Sequence, residues 1–171
     1  MVPVPAPDDL VLRGATHADW PDVWTLLEPV VRAGETYCWA RDVTAEQARR
    51  RWMKPLPART YVAVLTDGPV VGTAHLHPNQ DGSGVHVANA GFVTSATSGV
   101  RGGGRRLAQY VVAEATRQGY RSMQFNAVVE TNTRAVGLWR SLGLEVVGTV
   151  PEAFDHPGLG LVGLHVMHRR L

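Results

Sequence analysis

Three consecutive glycines, Gly102-Gly103-Gly104, stand between an apolar β-like run (Val85–Val93) and an amphipathic helical pattern, and a second apolar run (Met123–Val129) follows. No other feature limits the fold as much. Strand, glycine loop, helix, strand is a crossover unit, and a crossover implies a parallel pair with its crevice at the strand C-termini. Leu107, Ala108, Val111, Val112 and Ala115 fall on one helical face, and Gly119 closes the helix. Clustered glycines let backbone N–H groups approach a ligand closely. A helix N-terminus adds unpaired donors and a positive dipole end. Arg101, Arg105 and Arg106 lie at that same end, against the dipole, and no Asp or Glu occurs from Gly82 to Ala113. The arrangement suits a polyanion; the alternative is a flexible loop with solvated arginines. No Gly-Lys-Ser/Thr follows, so this is not a P-loop. The glycines also come too late, after a hairpin, for a dinucleotide fingerprint.

The remaining elements fall around this unit. Asp9–Arg13 reads as a first strand. Thr16 with Asp19 opens a helix whose apolar stripe includes Trp20, Val23, Trp24, Leu27, Val30 and Val31, ending at Gly34. Thr44 with Gln47 opens a second helix to about Met53, stopped by Pro55 and Pro57. Thr60–Leu65 and Val70–His77 form a hairpin across Asp67-Gly68. After Met123–Val129 come a helix over Thr131–Leu142, capped by Gly143, and strands Leu144–Thr149 and Leu161–His168. The order β-α-α-β-β-β-α-β-α-β-β predicts one mixed α/β (α+β) domain over residues 9–171, behind a flexible lead over 1–8.

With 171 residues, 44% of them hydrophobic and 19% charged, the chain is long enough for a packed core and is neither disordered nor coiled coil. No apolar run approaches the ~20 residues of a membrane span, and no signal peptide is visible. Cys38 is the single cysteine, so an intrachain disulfide and a cysteine-based metal cluster are excluded, and a cytoplasmic setting is the default. The histidines lack ligand spacing, so no metal is expected. Sixteen of the 17 basic residues are Arg, with Lys54 the exception. They form no stripe with interleaved aromatics, so no nucleic-acid partner is expected.

Two stretches carry a family resemblance. The glycine loop, with Gly102, Gly104 and Leu107 in register, is similar to the first core motif of the GNAT acyl-CoA N-acyltransferases. Gly99 stands where that motif has Arg or Gln. Asn132, Ala135, Leu138 and Gly143 match the second motif, with Trp139 in place of its Tyr and Leu144 in place of its Phe. An indole N–H cannot protonate a thiolate at neutral pH, so Trp139 cannot serve as the general acid that this tyrosine often supplies. The resemblance implies a mostly antiparallel sheet with a central splayed parallel pair and flanking helices. It also implies acetyl-CoA as co-substrate, along the backbone of Phe92, Val93 and Thr94, with its pyrophosphate on Gly99, Val100, Arg101, Gly102, Gly103, Gly104 and Arg105. Asn132 and Trp139 complete the implied cofactor-binding set.

Within that family, Asn89-Ala90-Gly91-Phe92, Arg106-Leu107-Ala108-Gln109, Gly119-Tyr120, Phe125-Asn126 and Asn132 resemble the acetyltransferases that detoxify L-azetidine-2-carboxylate. This implies Asn89 and Asn126 as the catalytic and substrate-holding residues. Independently, an amide inside an apolar strand needs partners, and it can accept from a ring ammonium or donate to a carboxylate. Its alternative role is to bond neighbouring backbone. In this fold the loop between the first helices covers the acceptor, so Glu35, Thr36, Tyr37 and Trp39 are expected there, Tyr37 and Trp39 walling a small ring or simply packing in the core.

The amine must lose a proton before it attacks. His75 and His77 alternate onto one strand face and, like His86, read as surface or packing residues; Glu130 reads as a solvated helix-start charge. Water-mediated deprotonation is therefore expected, with a backbone N–H near Phe92 or Val93 polarising the acetyl oxygen. Two other readings stay open. One is a GNAT enzyme for another small amine, such as a phosphinothricin-type amino acid, echoed by Glu35-Thr36-Tyr37 and Thr44-Ala45-Glu46. The other is a non-catalytic acetyl-CoA-binding domain. A homodimer is the common arrangement for such domains.

Overall fold

The computed structural model describes residues 10–66, 68–95 and 100–171. The expected lead over 1–8, Asp67 of the hairpin turn, and Gly99 lie outside the described residues.

β1 (Leu10–Gly14) leads through a short 3-10 turn (His17–Asp19) into α1 (Trp20–Ala33), and α2 (Ala45–Trp52) follows. The capping boxes read from the sequence form at both places: Asp19 Oδ2 accepts from the Thr16 N–H at 2.6 Å, and Thr44 Oγ1 accepts from the Gln47 N–H at 3.2 Å. Then come β2 (Arg59–Leu65), β3 (Val70–Pro78), β4 (Val87–Thr94), α3 (Gly103–Arg117), β5 (Ser122–Val129), α4 (Thr133–Ser141), β6 (Glu145–His156) and β7 (Gly160–Arg170). The seven strands form one sheet in the order β1-β2-β3-β4-β5-β7-β6. Every pairing is antiparallel except β4 with β5.

Strand alternation sorts side chains between two helical layers. Ala74, Leu76, Ala88, Met123 and Phe125 join Leu107, Val111 and Ala115 of α3 and Val136 and Trp139 of α4 in one core. Val62, Val70 and Val93 join Val23 and Leu27 of α1 and Trp52 of α2 on the other side.

The parallel pair is held at only two positions, Val87 opposite Ser122 and Ala88 opposite Met123. Beyond them the strands part. β5 carries an irregularity between Phe125 and Val128 in its pairing with β7. β4 meanwhile stays in register with β3 from Ala88 to Thr94. Several boundaries differ from expectation, two of them for a visible local reason. β4 starts at Val87, because Gly82–Gly84 form a 3-10 turn. β6 runs to His156 and not Thr149, because Pro151 sits in a register shift on an edge strand, where a missing N–H breaks no ladder bond. No helix among the described residues is long and apolar enough to cross a membrane.

Candidate active site

Where β4 and β5 separate, two cavities meet. One, of about 590 Å³, is walled by the loop after α1 together with β3, β4 and β5. The other, of about 510 Å³, opens at the N-terminus of α3. Thr36, Phe92, Asn132, Ala135 and Trp139 line both.

The second cavity is the one foreseen for the cofactor. Phe92, Val93, Thr94, Val100, Gly102, Gly103, Gly104 and Arg105 all line it. Gly102 is the helix N-cap at φ +75, a conformation that favours glycine. The amide groups of Gly104 and Arg105 belong to the first turn, where the helix has no carbonyl for them. No carboxylate lines this cavity among the described residues. Arg134 adds a cation that the sequence reading missed. Arg101 is exposed and lines neither cavity, contrary to its expected place. Arg106 turns back toward β1, its Nη2 donating to the Leu10 carbonyl at 3.5 Å. The three loop arginines therefore do not act as one cluster.

The backbone of β4 faces the gap with a definite parity. The Val87 carbonyl accepts from the Asn79 N–H on the β3 side, at 2.7 Å. Alternation then aims Ala88, Ala90 and Phe92 toward β5. Past Ala88 that neighbour is gone, so the Phe92 N–H, rather than that of Val93, points into the gap. The Phe92 carbonyl is already occupied: Tyr37 Oη donates to it at 2.9 Å. Burial pushes the Tyr37 hydroxyl pKa well up, so it remains a donor.

The first cavity holds the expected acceptor residues. Asn89 and Asn126 both line it, and a residue that the sequence reading passed over ties them together. Asn79 Oδ1 accepts from Asn89 Nδ2 at 3.1 Å and from Asn126 Nδ2 at 2.7 Å. Asn126 Oδ1 in turn accepts from Gln124 Nε2 at 2.8 Å. Neither amide is buried as expected: Asn89 is intermediate and Asn126 exposed, because the departure of β5 opens the sheet there. Among the described residues neither bonds neighbouring backbone. Asn79 sits in a polar loop just past β3, and nothing in that local sequence distinguishes it from a turn residue.

Thr36, Tyr37 and Trp39 line the cavity as foreseen, while Glu35 is exposed and lines neither cavity. Tyr37, Trp39 and Trp52 form a mutual ring cluster with centroids 5.6–6.1 Å apart. Arg51 lies over Trp39 at 5.4 Å and, with Lys54, adds positive charge to the wall.

His75 and His77 depart from expectation, since both line this cavity. His75 packs on Trp52 at 4.4 Å. Burial lowers its pKa to about 3, with His77 and Lys54 adding to the shift. Gly91 makes room for it: a Cβ there would lie 2.4 Å from His75 Nε2. Glu130 is no free carboxylate. Its backbone N–H donates to the Gly163 carbonyl at 3.0 Å, and its Oε1 accepts from the Gly163 N–H at 2.5 Å. Asn132 caps α4, its Oδ1 accepting from the Ala135 N–H at 3.1 Å. Trp139 packs on Phe92 and Phe125 at 4.9 and 4.8 Å, forming a wall where the two cavities join.

A splayed parallel pair, a glycine-capped helix aimed into one cavity and a second, polar cavity meeting it at the gap together define an acyltransferase architecture. Residues 20–144 match the sequence model of the acetyltransferase (GNAT) family, and the chain belongs to that family. It is 53% identical to a GCN5-related N-acetyltransferase from Kribbella flavida, whose structure superimposes with a TM-score of 0.93 over 97% of this chain and 100% of that one. A phosphinothricin acetyltransferase from Sinorhizobium meliloti, solved with acetyl-CoA, shares the fold at 20% identity and TM-score 0.84, over 95% of this chain and 89% of that one. N-acetyltransferase aca1 of Schizosaccharomyces pombe is 30% identical over 99 residues, 58% of this chain and 47% of the relative. The chain thus spans about half the length of that curated relative.

Proposed function

We propose that this protein transfers an acetyl group from acetyl-CoA to the ring secondary amine of L-azetidine-2-carboxylate or a similar proline-like imino acid. The observation that carries this reading is the Asn89–Asn79–Asn126 bridge on the wall of a cavity that, among the described residues, has no carboxylate in its lining and opens onto the gap at Phe92.

Each end of the reaction has its residues. The first-turn amides of Gly104 and Arg105 and the Arg105 guanidinium suit a pyrophosphate. Acetyl-CoA supplies an activated acyl group as a thioester. The Phe92 N–H is aimed to polarise a carbonyl placed in the gap. Asn89 gives its N–H to Asn79, which leaves Oδ1 to accept from the acceptor's ammonium. Arg51 and Lys54 suit the carboxylate of a zwitterion and disfavour a polycation. Trp139 contributes shape and excludes water. A thiol pKa of about 8.5 lets the sulfur leave as thiolate and take its proton from solvent.

The same cationic wall would serve a phosphinate, so a phosphinothricin-type amino acid is the second reading. One panel separates them. Thiol release from acetyl-CoA is followed with L-azetidine-2-carboxylate, L-proline, phosphinothricin, a polyamine, and azetidine without its carboxylate. The expected order places L-azetidine-2-carboxylate first, with kcat/KM for azetidine lower by about tenfold or more, the worth of one charge-assisted contact. Preference for phosphinothricin would move the assignment to the primary amine. Acetyl-CoA binding with no turnover of any amine would leave a non-catalytic domain.

A further inference from the structure

We infer that His77 is the general base of the transfer, taking the proton from the acceptor's ammonium through its Nε2. The inference rests on the acetyl-transfer reading above and adds the proton acceptor that the sequence left to water.

Three observations converge on this residue. The first is its tautomer. His77 Nδ1 lies 2.7 Å from the Pro78 carbonyl oxygen. A carbonyl only accepts, so Nδ1 carries the hydrogen and Nε2 carries the lone pair. The second is position. His77 is the direct cross-strand partner of Asn89. Side chains opposite one another in an antiparallel pair share a face and are near neighbours. The base thus stands beside the amide whose free oxygen is offered to the amine. The third is competition. Among the described residues no Asp or Glu lines this cavity, and Glu130 is engaged with Gly163.

The groups around His77 are consistent with the role. His75 stacks on it at 5.1 Å from its own strand. Lys54 and Arg51 reach the cavity from α2 and the segment after it, and Tyr37 and Cys38 from the preceding loop. Burial lowers the His77 pKa, the bond to Pro78 opposes this, and Lys54 reinforces it. The ring is therefore neutral, and able to accept, at neutral pH. His75 is more deeply buried, and its Nδ1 has no partner among the described residues. It supports the His77 ring.

The step balances as follows. Nε2 takes one proton from the ring ammonium. The neutral amine's lone pair forms the N–C bond while the C–S bond breaks. The second amine proton leaves with the thiolate or to solvent, and His77 returns its proton to water.

His77→Asn keeps a donor near Pro78 and removes the acceptor nitrogen, which makes it the informative variant. With L-azetidine-2-carboxylate at pH 7, its kcat should fall about 100-fold, with KM for acetyl-CoA unchanged. The deficit should shrink at alkaline pH, where the neutral amine rises about tenfold per pH unit, and added imidazole should restore part of the rate. In the wild-type enzyme, log kcat/KM should bend downward only below about pH 6.5, and His77→Asn should lose that bend. His86→Asn, an exposed histidine outside the cavity, is the matched control. Nitrogen NMR should show Nδ1 of His77 protonated and Nε2 bare. A loss under about threefold at pH 7, a loss equal at all pH values without imidazole rescue, or a protonated Nε2 would each overturn the inference. If the wild-type enzyme ignores L-azetidine-2-carboxylate, that outcome sinks the acceptor assignment alone. The same comparison then runs on whichever panel amine is acetylated, and if none is, the general-base role fails too.

Discussion

Asn79 shows how one atom can set the geometry of a site. Its Oδ1 accepts from Asn89 and from Asn126. Both amides thereby present a fixed edge to the cavity, across strands that no longer pair with each other. Small errors of position at a reacting centre cost rate steeply, up to about 100-fold for 1 Å. Asn79→Ala should therefore lower kcat/KM for the acceptor by about 10- to 100-fold while the acetyl-CoA KM stays within a factor of about two. A parallel loss of acetyl-CoA affinity would mean that Asn79 merely holds the sheet together. The family resemblance put Asn89 and Asn126 into the site, and the structure places both on the cavity wall. Asn79 was not legible. Its bridging place comes from a contact with a residue 47 positions away, and no local pattern encodes such a contact.

At the scale of elements, α3 is nearly complete in the sequence. Its apolar stripe, its glycine start and its end near Gly119 all follow from helical periodicity and cap chemistry. What the stripe could not tell is which arginine lines the cavity. Arg101 and Arg105 are four residues apart, yet Arg101 precedes the left-handed Gly102 and Arg105 lies in the first turn. A single reversal of backbone direction separates one from the cavity and leaves the other on its wall. Arg105→Ala should raise the acetyl-CoA KM about tenfold, and Arg101→Ala should leave it within a factor of about two, both read from initial rates at saturating acceptor. Equal effects would argue that long-range charge, and not contact, draws the phosphates.

The whole molecule is tied at its start by Asp19. Arg13 grips both carboxylate oxygens, at 2.9 and 2.7 Å, and Thr16 adds its N–H at 2.6 Å and its hydroxyl at 2.9 Å. The Arg13 bond, opposed by burial and aided by Thr16, holds the Asp19 carboxyl well below the usual carboxylate range. A depressed folded-state pKa stabilises above the unfolded value of about 4, and that contribution is lost as pH falls toward the folded value. Asp19→Asn should therefore unfold at lower urea concentration than wild type at pH 7, with the difference shrinking steadily below about pH 4. A gap that persists unchanged into acid would assign the loss to packing. This link joins β1 to α1 and so steadies the helix on one side of the sheet, where the cavity holding Asn89 and Asn126 opens.

The sequence by itself determined the order of elements, the crossover, the glycine loop, the family, and the residue types on each strand face. The family follows from the resemblance of two motifs, and the rest from periodicities of 2 and 3.6 and from cap and turn chemistry, all local. Tertiary structure decided the rest. The two-position grip of β4 on β5 opens the gap, leaves Asn126 exposed, and fixes which backbone N–H faces it. The packing of α1 and α2 on the face that carries His75 and His77 turned two apparent packing histidines into cavity walls. A strand's alternation states only that two residues share a face. Whether that face meets core, solvent or substrate depends on what the rest of the chain lays over it.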